Sequence, residues 1–293
     1  MASIRDRLLT LIQYPLPHLL LSRVMYHIVR IRWKPFKNFM ISFISKKYGI
    51  DISLAKEQNK EAYPHFNSFF TRELREGVRP IVEGTQNIAC PVDGTISQFG
   101  KIRDGRIFQA KGHDYSLKTL VGGHQHLHDL FADGEFSTIY LSPKDYHRIH
   151  MPVSGKLREM TYVPGRLFSV SPSTTRALPG LFARNERLVA VFDTEHGPIA
   201  MILVGAIFVA GIETVWSGNF GDKMYRSLQH WDYANNGDLP EVSLEKGEEM
   251  GRFNMGSTVI LLFGKNQMNW DQVLAPEVGV QLGQFIGEHT DQP

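Results

Sequence analysis

From about residue 81 the chain breaks into short apolar runs separated by Gly, Pro and Asp, and this constrains the fold most. The runs include Thr95–Phe99, Arg106–Ala110, Ser137–Leu141, Lys156–Val163, Leu188–Phe192, Ile199–Val209 and Thr258–Phe263. Strand-length segments at roughly ten-residue spacing predict a sandwich or barrel-like β domain. The first fifty residues read differently. Apolar residues recur there at spacings of three and four: Leu8, Leu9, Leu11, Ile12, then Leu19, Leu20, Leu21, Val24, Met25, Ile28, then Trp33, Phe36, Phe39, Met40, Phe43, Ile44. That period predicts amphipathic helices, which Pro15, Pro17 and Pro35 divide into three. The fold class expected is therefore α+β: an amphipathic helical arm followed by a β-rich catalytic body. The division falls at 1–80 and 81–293. Within 51–80, the spacing of Phe66, Phe69, Phe70 and Leu74 predicts a helix that Gly77 and Pro80 end.

Charge separates the same two parts. Arg5, Arg7, Arg23, Arg30, Arg32, Lys34, Lys37, Lys46 and Lys47 stand against Asp6 alone in the first fifty residues, while the whole chain of 293 residues carries only +2. Basic helices that also carry Trp and Phe are suited to an anionic membrane surface. No stretch reaches the roughly 18 consecutive apolar residues of a spanning helix, and the first residues do not read as a cleaved signal. The single cysteine, Cys90, rules out an internal disulfide framework and a multi-thiolate metal site.

Four stretches hold residues suited to chemistry. Asp93-Gly94 puts a carboxylate in a tight turn before a strand. His147 and His150 lie three apart within Leu141–Pro152; such a pair can ligate zinc, act as acid and base, or be structural. His113, His124, His126 and His128 form a second imidazole group, on a strand face that could hold a metal or in a loop entering a helix. Finally, Lys246 to Asn254 is charged and Gly-punctuated, which predicts a loop, and Gly256-Ser257 joins it to the Thr258–Phe263 strand. A hydroxyl at such a joint is placed to attack its own preceding carbonyl, or is simply a turn residue.

Taken in order, Val92-Asp93-Gly94, Tyr146-His147-Arg148-Ile149-His150-Met151-Pro152, Gly211-Ile212-Glu213-Thr214-Val215-Trp216 and Lys246 to Phe253 before Gly256-Ser257-Thr258 resemble phosphatidylserine decarboxylase of the bacterial and mitochondrial type. One departure is Met255, where the family usually has Leu. The resemblance implies a self-made cofactor. Asp93, His150 and Ser257 form a charge relay, the chain cuts itself between Gly256 and Ser257, and Ser257 becomes a covalent pyruvoyl group. That ketone forms a Schiff base with the amine of phosphatidylserine; CO2 leaves, and His147 is the general acid that protonates the product, phosphatidylethanolamine. The partners implied are the lipid substrate, an anionic membrane surface, and the large and small chains of one precursor. A dimer of such heterodimers is an expectation from the family. The resemblance places the protein peripherally at the cytoplasmic face of a bacterial cell membrane, without nucleic acid. No metal is assigned, and no Gly-rich phosphate loop is present to hold pyridoxal phosphate. Two other readings predict an uncut chain: a metal-dependent hydrolase using His147 and His150, and a non-catalytic lipid-surface binding protein. Glu213 and Trp216 carry no role derivable from the sequence.

Overall fold

A computed structural model describes residues 2–207, 211–223, 225–254 and 257–290. Met255 and Gly256, and residues 208 and 209 at the end of the run expected over 199–209, lie outside the described residues. Three helices open the chain, at Ile4–Leu11, His18–Ile28 and Lys34–Tyr48. The first is fixed by a capping box, in which the Ser3 hydroxyl accepts from Asp6 N and the Asp6 carboxylate accepts from Ser3 N. Pro17 precedes the second helix and Pro35 sits in the first turn of the third, where a missing N–H costs nothing. Gly49, in the left-handed region at φ 67°, ends the third.

The helix expected through Leu74 is shorter than its apolar spacing suggests: it covers only Phe66–Phe70. Thr71 closes it, turning its hydroxyl back to the Asn67 carbonyl at 2.9 Å, and Leu74 instead bridges to Ala55 in extended backbone. Its aromatic face is real nonetheless, since Phe66, Phe69 and Phe70 form a core with Val29, Ile41 and Ile50 of the arm.

The body is built on a nine-stranded, wholly antiparallel sheet. Its order runs Gln229–Asp232, Gly155–Val163, Arg187–Thr194, Gly197–Val204, Ser257–Phe263, Glu135–Leu141, Gly94–Lys101 and Gly279–Val280, with Ser243–Leu244 also on Gly155–Val163. Ser257–Phe263 lies inside it, paired on both sides. The period of two sends Val259, Leu261 and Phe263 into one core and Ile260 and Leu262 into another, so the sheet is buried on both faces. Two small antiparallel sheets contribute to the first core. Short helices, among them Gln125–Phe131, and the Arg106–Ala110/His113–Ser116 hairpin cover the second. The result is a layered β body rather than a closed barrel.

One expected loop is a strand. Glu249–Phe253 pairs with Arg148–His150 on one side and Ile212–Thr214 on the other. Its charges mislead because the strand is bulged between Glu249 and Gly251: Met250 and Phe253 are buried, while Glu249 and Arg252 are salt-bridged partners at 2.9 Å. Gly251 is needed for close approach, since a Cβ there would stand 2.3 Å from the Glu213 carbonyl oxygen.

Candidate active site

The site forms where the central strand begins. Ser257 is its first residue, opposite Leu141 of the neighbouring strand, and it is fully buried. Its Oγ has no hydrogen-bond partner. Buried hydroxyls are rarely left unpaired, so this one needs an explanation.

The segment leading to the junction is anchored from another part of the chain. Asn254 N and Nδ2 both donate to the Gly211 carbonyl, at 3.0 and 3.3 Å. The Asn254 Oδ1 accepts from Asn67 Nδ2 at 2.9 Å, tying the junction to the Phe66–Phe70 helix. Phe70 from that helix lies against His147, with ring centroids 4.2 Å apart.

His147 and His150 are not neighbours on a helical turn. They flank and end the strand Arg148–His150, where residues three apart project to opposite sides. His147 is fully buried, and burial pushes its pKa down to about 3. Its Nδ1 meets the Asp145 carbonyl at 2.8 Å. A carbonyl only accepts, so Nδ1 carries the proton and Nε2 holds a lone pair; that Nε2 has no partner. His150 is arranged alike. Its Nδ1 donates to the Gly247 carbonyl at 2.7 Å, and its Nε2 lies 3.2 Å from the Tyr146 hydroxyl, which donates to it. Burial lowers its pKa as well.

Asp93 is close to this group without bonding to it. The His150 backbone N–H donates to the Pro91 carbonyl, two residues before Asp93. The carboxylate itself takes two bonds from Arg79, at 2.9 and 2.8 Å, and one from the Leu282 N–H at 2.8 Å. Gly94 follows because a Cβ there would lie 2.6 Å from the Tyr140 carbonyl oxygen. No side-chain hydrogen bond joins Asp93 to His150 in this structure, and the Gly247 carbonyl fixes the imidazole tautomer.

The other sequence candidates lie elsewhere. His124 precedes the helix Gln125–Phe131, so the second histidine group enters a helix rather than sharing a strand face. His126 instead pairs with Glu159 at 2.9 Å. Among the described residues no three His, Cys, Asp or Glu side chains are arranged to hold a metal ion. Glu213 faces Arg252 across two strands at 3.7 Å, and Trp216 packs edge-on against Phe192 in the core. Cys90 is buried with its thiol on the Val92 carbonyl, and burial pushes its pKa up to about 12. Sequence reasoning missed Asn67, Arg72, Arg79, Tyr146 and Asn254. All five act through contacts distant in sequence or through a neighbour's side chain, and only the Arg79-Pro80 and Tyr146-His147 adjacencies hinted at them.

The strand that leads to Ser257 is bonded to the histidine strand, Phe253 N donating to the His147 carbonyl at 3.0 Å, so the chain brings the buried hydroxyl's junction and the two buried imidazoles into one region. A family model for phosphatidylserine decarboxylase matches residues 66–288, and a second, described only as PSD, matches residues 8–49. Phosphatidylserine decarboxylase proenzymes of Pseudomonas putida (strain GB-1) and Stutzerimonas stutzeri are 50% and 51% identical over 284 residues, covering 97% of this chain and 98% and 95% of theirs. That of Nitrosococcus oceani is 49% identical over 285 residues, covering 97% of this chain and 92% of its own. The chain belongs to the phosphatidylserine decarboxylase family and is a decarboxylase.

Proposed function

We propose that this chain is a precursor that cuts itself between Gly256 and Ser257. The processed enzyme then converts phosphatidylserine to phosphatidylethanolamine and CO2, using a pyruvoyl group made from Ser257. The observation that carries this reading is the fully buried, unpartnered Ser257 hydroxyl at the head of the central strand. The relatives' name, proenzyme, supports processing. The residues present fit the group: its carbon skeleton is Ser257 itself, held by a strand paired on both sides.

In this reading the Nε2 lone pair of His150 takes the Ser257 hydroxyl proton once Tyr146 releases it, with the Gly247 carbonyl holding Nδ1–H. Asp93 favours the resulting imidazolium through space. The alkoxide adds to the Gly256 carbonyl, and the peptide becomes an ester. Loss of the residue 257 α-proton breaks the Cβ–Oγ bond, and the Gly256 carboxylate leaves. Water then converts dehydroalanine to the pyruvoyl terminus and ammonia. The group supplies a ketone that condenses with the substrate amine and accepts the electron pair released with CO2. His147 returns a proton to the former α-carbon. At neutral pH its buried ring is unprotonated, so this role requires an entering anion that offsets the cost of charging it.

A second assignment rests on one observation. Ser257 Oγ and His147 Nε2 are both buried and both without partners, one able to donate and the other to accept. In that assignment His147 is the base of self-cleavage. His147→Ala decides: a cut but inactive enzyme supports the first assignment, an uncut chain the second. The arm, residues 1–80, serves as the membrane-contacting part and residues 81–293 as the catalytic part. Over the first two helices the arm's inward face is polar, with Asp6, Thr10, Gln13, His18 and Ser22 buried, while Val29, Ile41 and Ile50 pack into the apolar core with Phe66, Phe69 and Phe70. Its outward face is apolar, with Trp33 67% and Phe39 66% exposed. That orientation suits a peripheral protein on an anionic bilayer. No helix among the described residues is long and apolar enough to cross a membrane. The test of the whole reading is Ser257→Ala, expected to give one uncut polypeptide without decarboxylase activity. A Ser257→Ala chain that decarboxylates phosphatidylserine at the parent rate overturns it.

A further inference from the structure

Arg72 is a buried cation left open. The residue is 5% exposed, and its Nε and Nη1 have no hydrogen-bond partner. Among the described residues the guanidinium's only hydrogen bond is a long one, Nη2 to the Lys144 carbonyl at 3.4 Å, and its carbon lies 5.4 Å from the centre of the Phe69 ring. A guanidinium taken out of water without an anion is costly, far more than the ring contact recovers. The nearby acidic groups are all committed. Asp93 is held by Arg79 and Leu282 N, and Asp145 accepts from Ser142 N and Oγ at 2.7 Å each. Glu73 pairs with Lys56 and Arg148, at 2.8 and 3.4 Å. The neighbouring phenols are also engaged, Tyr63 on the Glu57 carbonyl and Tyr146 on His150.

The position of this cation matters. Arg72 follows the short helix whose Phe70 covers His147 and whose Asn67 holds Asn254. Between them the Thr71 carbonyl accepts from Arg148 Nε at 2.9 Å. Lys144, which accepts the one Arg72 bond, lies in the loop between Leu141, the partner of Ser257, and His147. The open donors therefore adjoin the helix that covers His147 and the loop that joins the partner strand of Ser257 to His147.

We propose that Arg72 binds the phosphodiester of the lipid headgroup and so sets the enzyme's specificity for a phosphorylated serine over serine itself. This rests on the decarboxylase reading above. Two anions enter with that substrate, and the chemistry separates them. A guanidinium on the carboxylate would stabilise a charge that disappears as CO2 leaves, which opposes the reaction. The phosphodiester keeps its charge throughout, and either edge of the guanidinium, Nε with Nη2 or Nη1 with Nη2, matches two of its oxygens; each edge carries one open donor, and Nη2 is held only by its 3.4 Å bond. The bound phosphodiester also supplies a negative charge near His147, whose basicity Arg72 now depresses. Substrate entry thus helps His147 to hold the proton it must deliver.

The test compares full-length, self-processed parent enzyme with Arg72→Gln and Arg72→Lys on short-chain phosphatidylserine. Inhibition of parent and variants by glycerophosphoethanolamine, by inorganic phosphate and by serine is measured in parallel. The expected result for Arg72→Gln is a KM raised about tenfold or more with a smaller change in kcat, and a matching loss of inhibition by glycerophosphoethanolamine. Arg72→Lys, which keeps the charge but not the fork, falls between. An unchanged KM in a processed Arg72→Gln enzyme overturns the proposal. So does inorganic phosphate inhibiting as well as the phosphodiester, which marks a free-phosphate site, or equal loss of inhibition by serine, which marks a carboxylate site. If neither variant cuts itself while the parent does, Arg72 acts in processing and the assignment to the headgroup fails. A parent enzyme that is active but uncut sinks the processing reading and leaves these KM comparisons intact.

Discussion

Asn67 and Asn254, 187 positions apart, are joined side chain to side chain at 2.9 Å, with both residues buried. Asn67 belongs to the helix that covers His147, and Asn254 closes the strand that runs into the Gly256-Ser257 junction. The bond couples the arm's docking helix to the backbone proposed to be cut. Asn67→Ala leaves the Asn254 side-chain Oδ1 buried without its donor, at a cost of about 1–3 kcal/mol. The expected outcome is slower accumulation of cut chains in a protein that still folds, followed by gel analysis after synthesis. Cleavage at the parent rate would separate this contact from processing.

The Asp93–Arg79 pair gives a second prediction. Both side chains are nearly buried, 11% and 12% exposed, and the pair is bonded at two points. Asp93→Asn strands the Arg79 charge and is expected to destabilise the fold by about 3–5 kcal/mol. Self-cleavage falls as well, because the carboxylate near His150 is gone. Asp93→Asn combined with Arg79→Met recovers much of the stability, since no buried charge is left alone, but not the cleavage. Chemical denaturation and a cleavage time course read the two effects separately.

Acid provides a third. His147 binds its proton at about 3 in the fold, against 6.5 for a free imidazole. A depressed histidine pKa means the unfolded chain binds more protons between those values. The stability it contributes is present above 6.5 and is lost as pH falls from 6.5 toward 3. By pH 5 the loss from this one group is about 2 kcal/mol. Denaturation of the uncut Ser257→Ala chain at pH 7 and pH 5 measures it. His147→Asn in that background lowers stability overall but flattens the pH dependence; an unchanged slope would place the acid sensitivity elsewhere, for instance at His289, whose burial pushes its pKa down to about 4.

The arm gives a fourth. Leu8, Ile12, Leu19, Leu20, Trp33, Phe39 and Phe43 face outward and make little contact with the body. Replacing Leu19 and Leu20 by Ser is expected to weaken binding to phosphatidylserine-containing vesicles by at least about tenfold. Thermal stability should barely change, because neither side chain is in a core. Binding should also fall as salt rises, since the basic residues of the arm contribute through screened charge. Vesicle sedimentation at two salt concentrations checks both.

Much of this was legible in the sequence because local pattern and fold agreed. Most apolar runs of the body became strands within a residue or two: Arg106–Ala110 matches, and Thr258–Phe263 gains only Ser257, but the run from Ile199 ends as a strand at Val204, before Gly205. The prolines divided the arm into its three helices. The sequence could not show that the arm is turned outward, because the period of a helix fixes which residues share a face but not what that face meets. Glu249–Phe253 was hidden for another reason. Its charged residues are paired across strands that lie far away in sequence, and a bulge breaks the alternation that marks a strand. The histidines, Asp93 and Ser257 were visible as residue types in ordered motifs. Their hydrogen-bond partners were not: Gly247, Tyr146 and Arg79 are identified only by where the chain folds.

The account stands on scission at one peptide bond, and the mass of the purified, undenatured-then-dissociated protein tests that most directly. It predicts two polypeptides, one ending at residue 256 and one beginning at residue 257. The second should be lighter by one ammonia than a chain starting with serine, and blocked to stepwise amino-terminal degradation. A single polypeptide of full-length mass, fully active on phosphatidylserine, would contradict it.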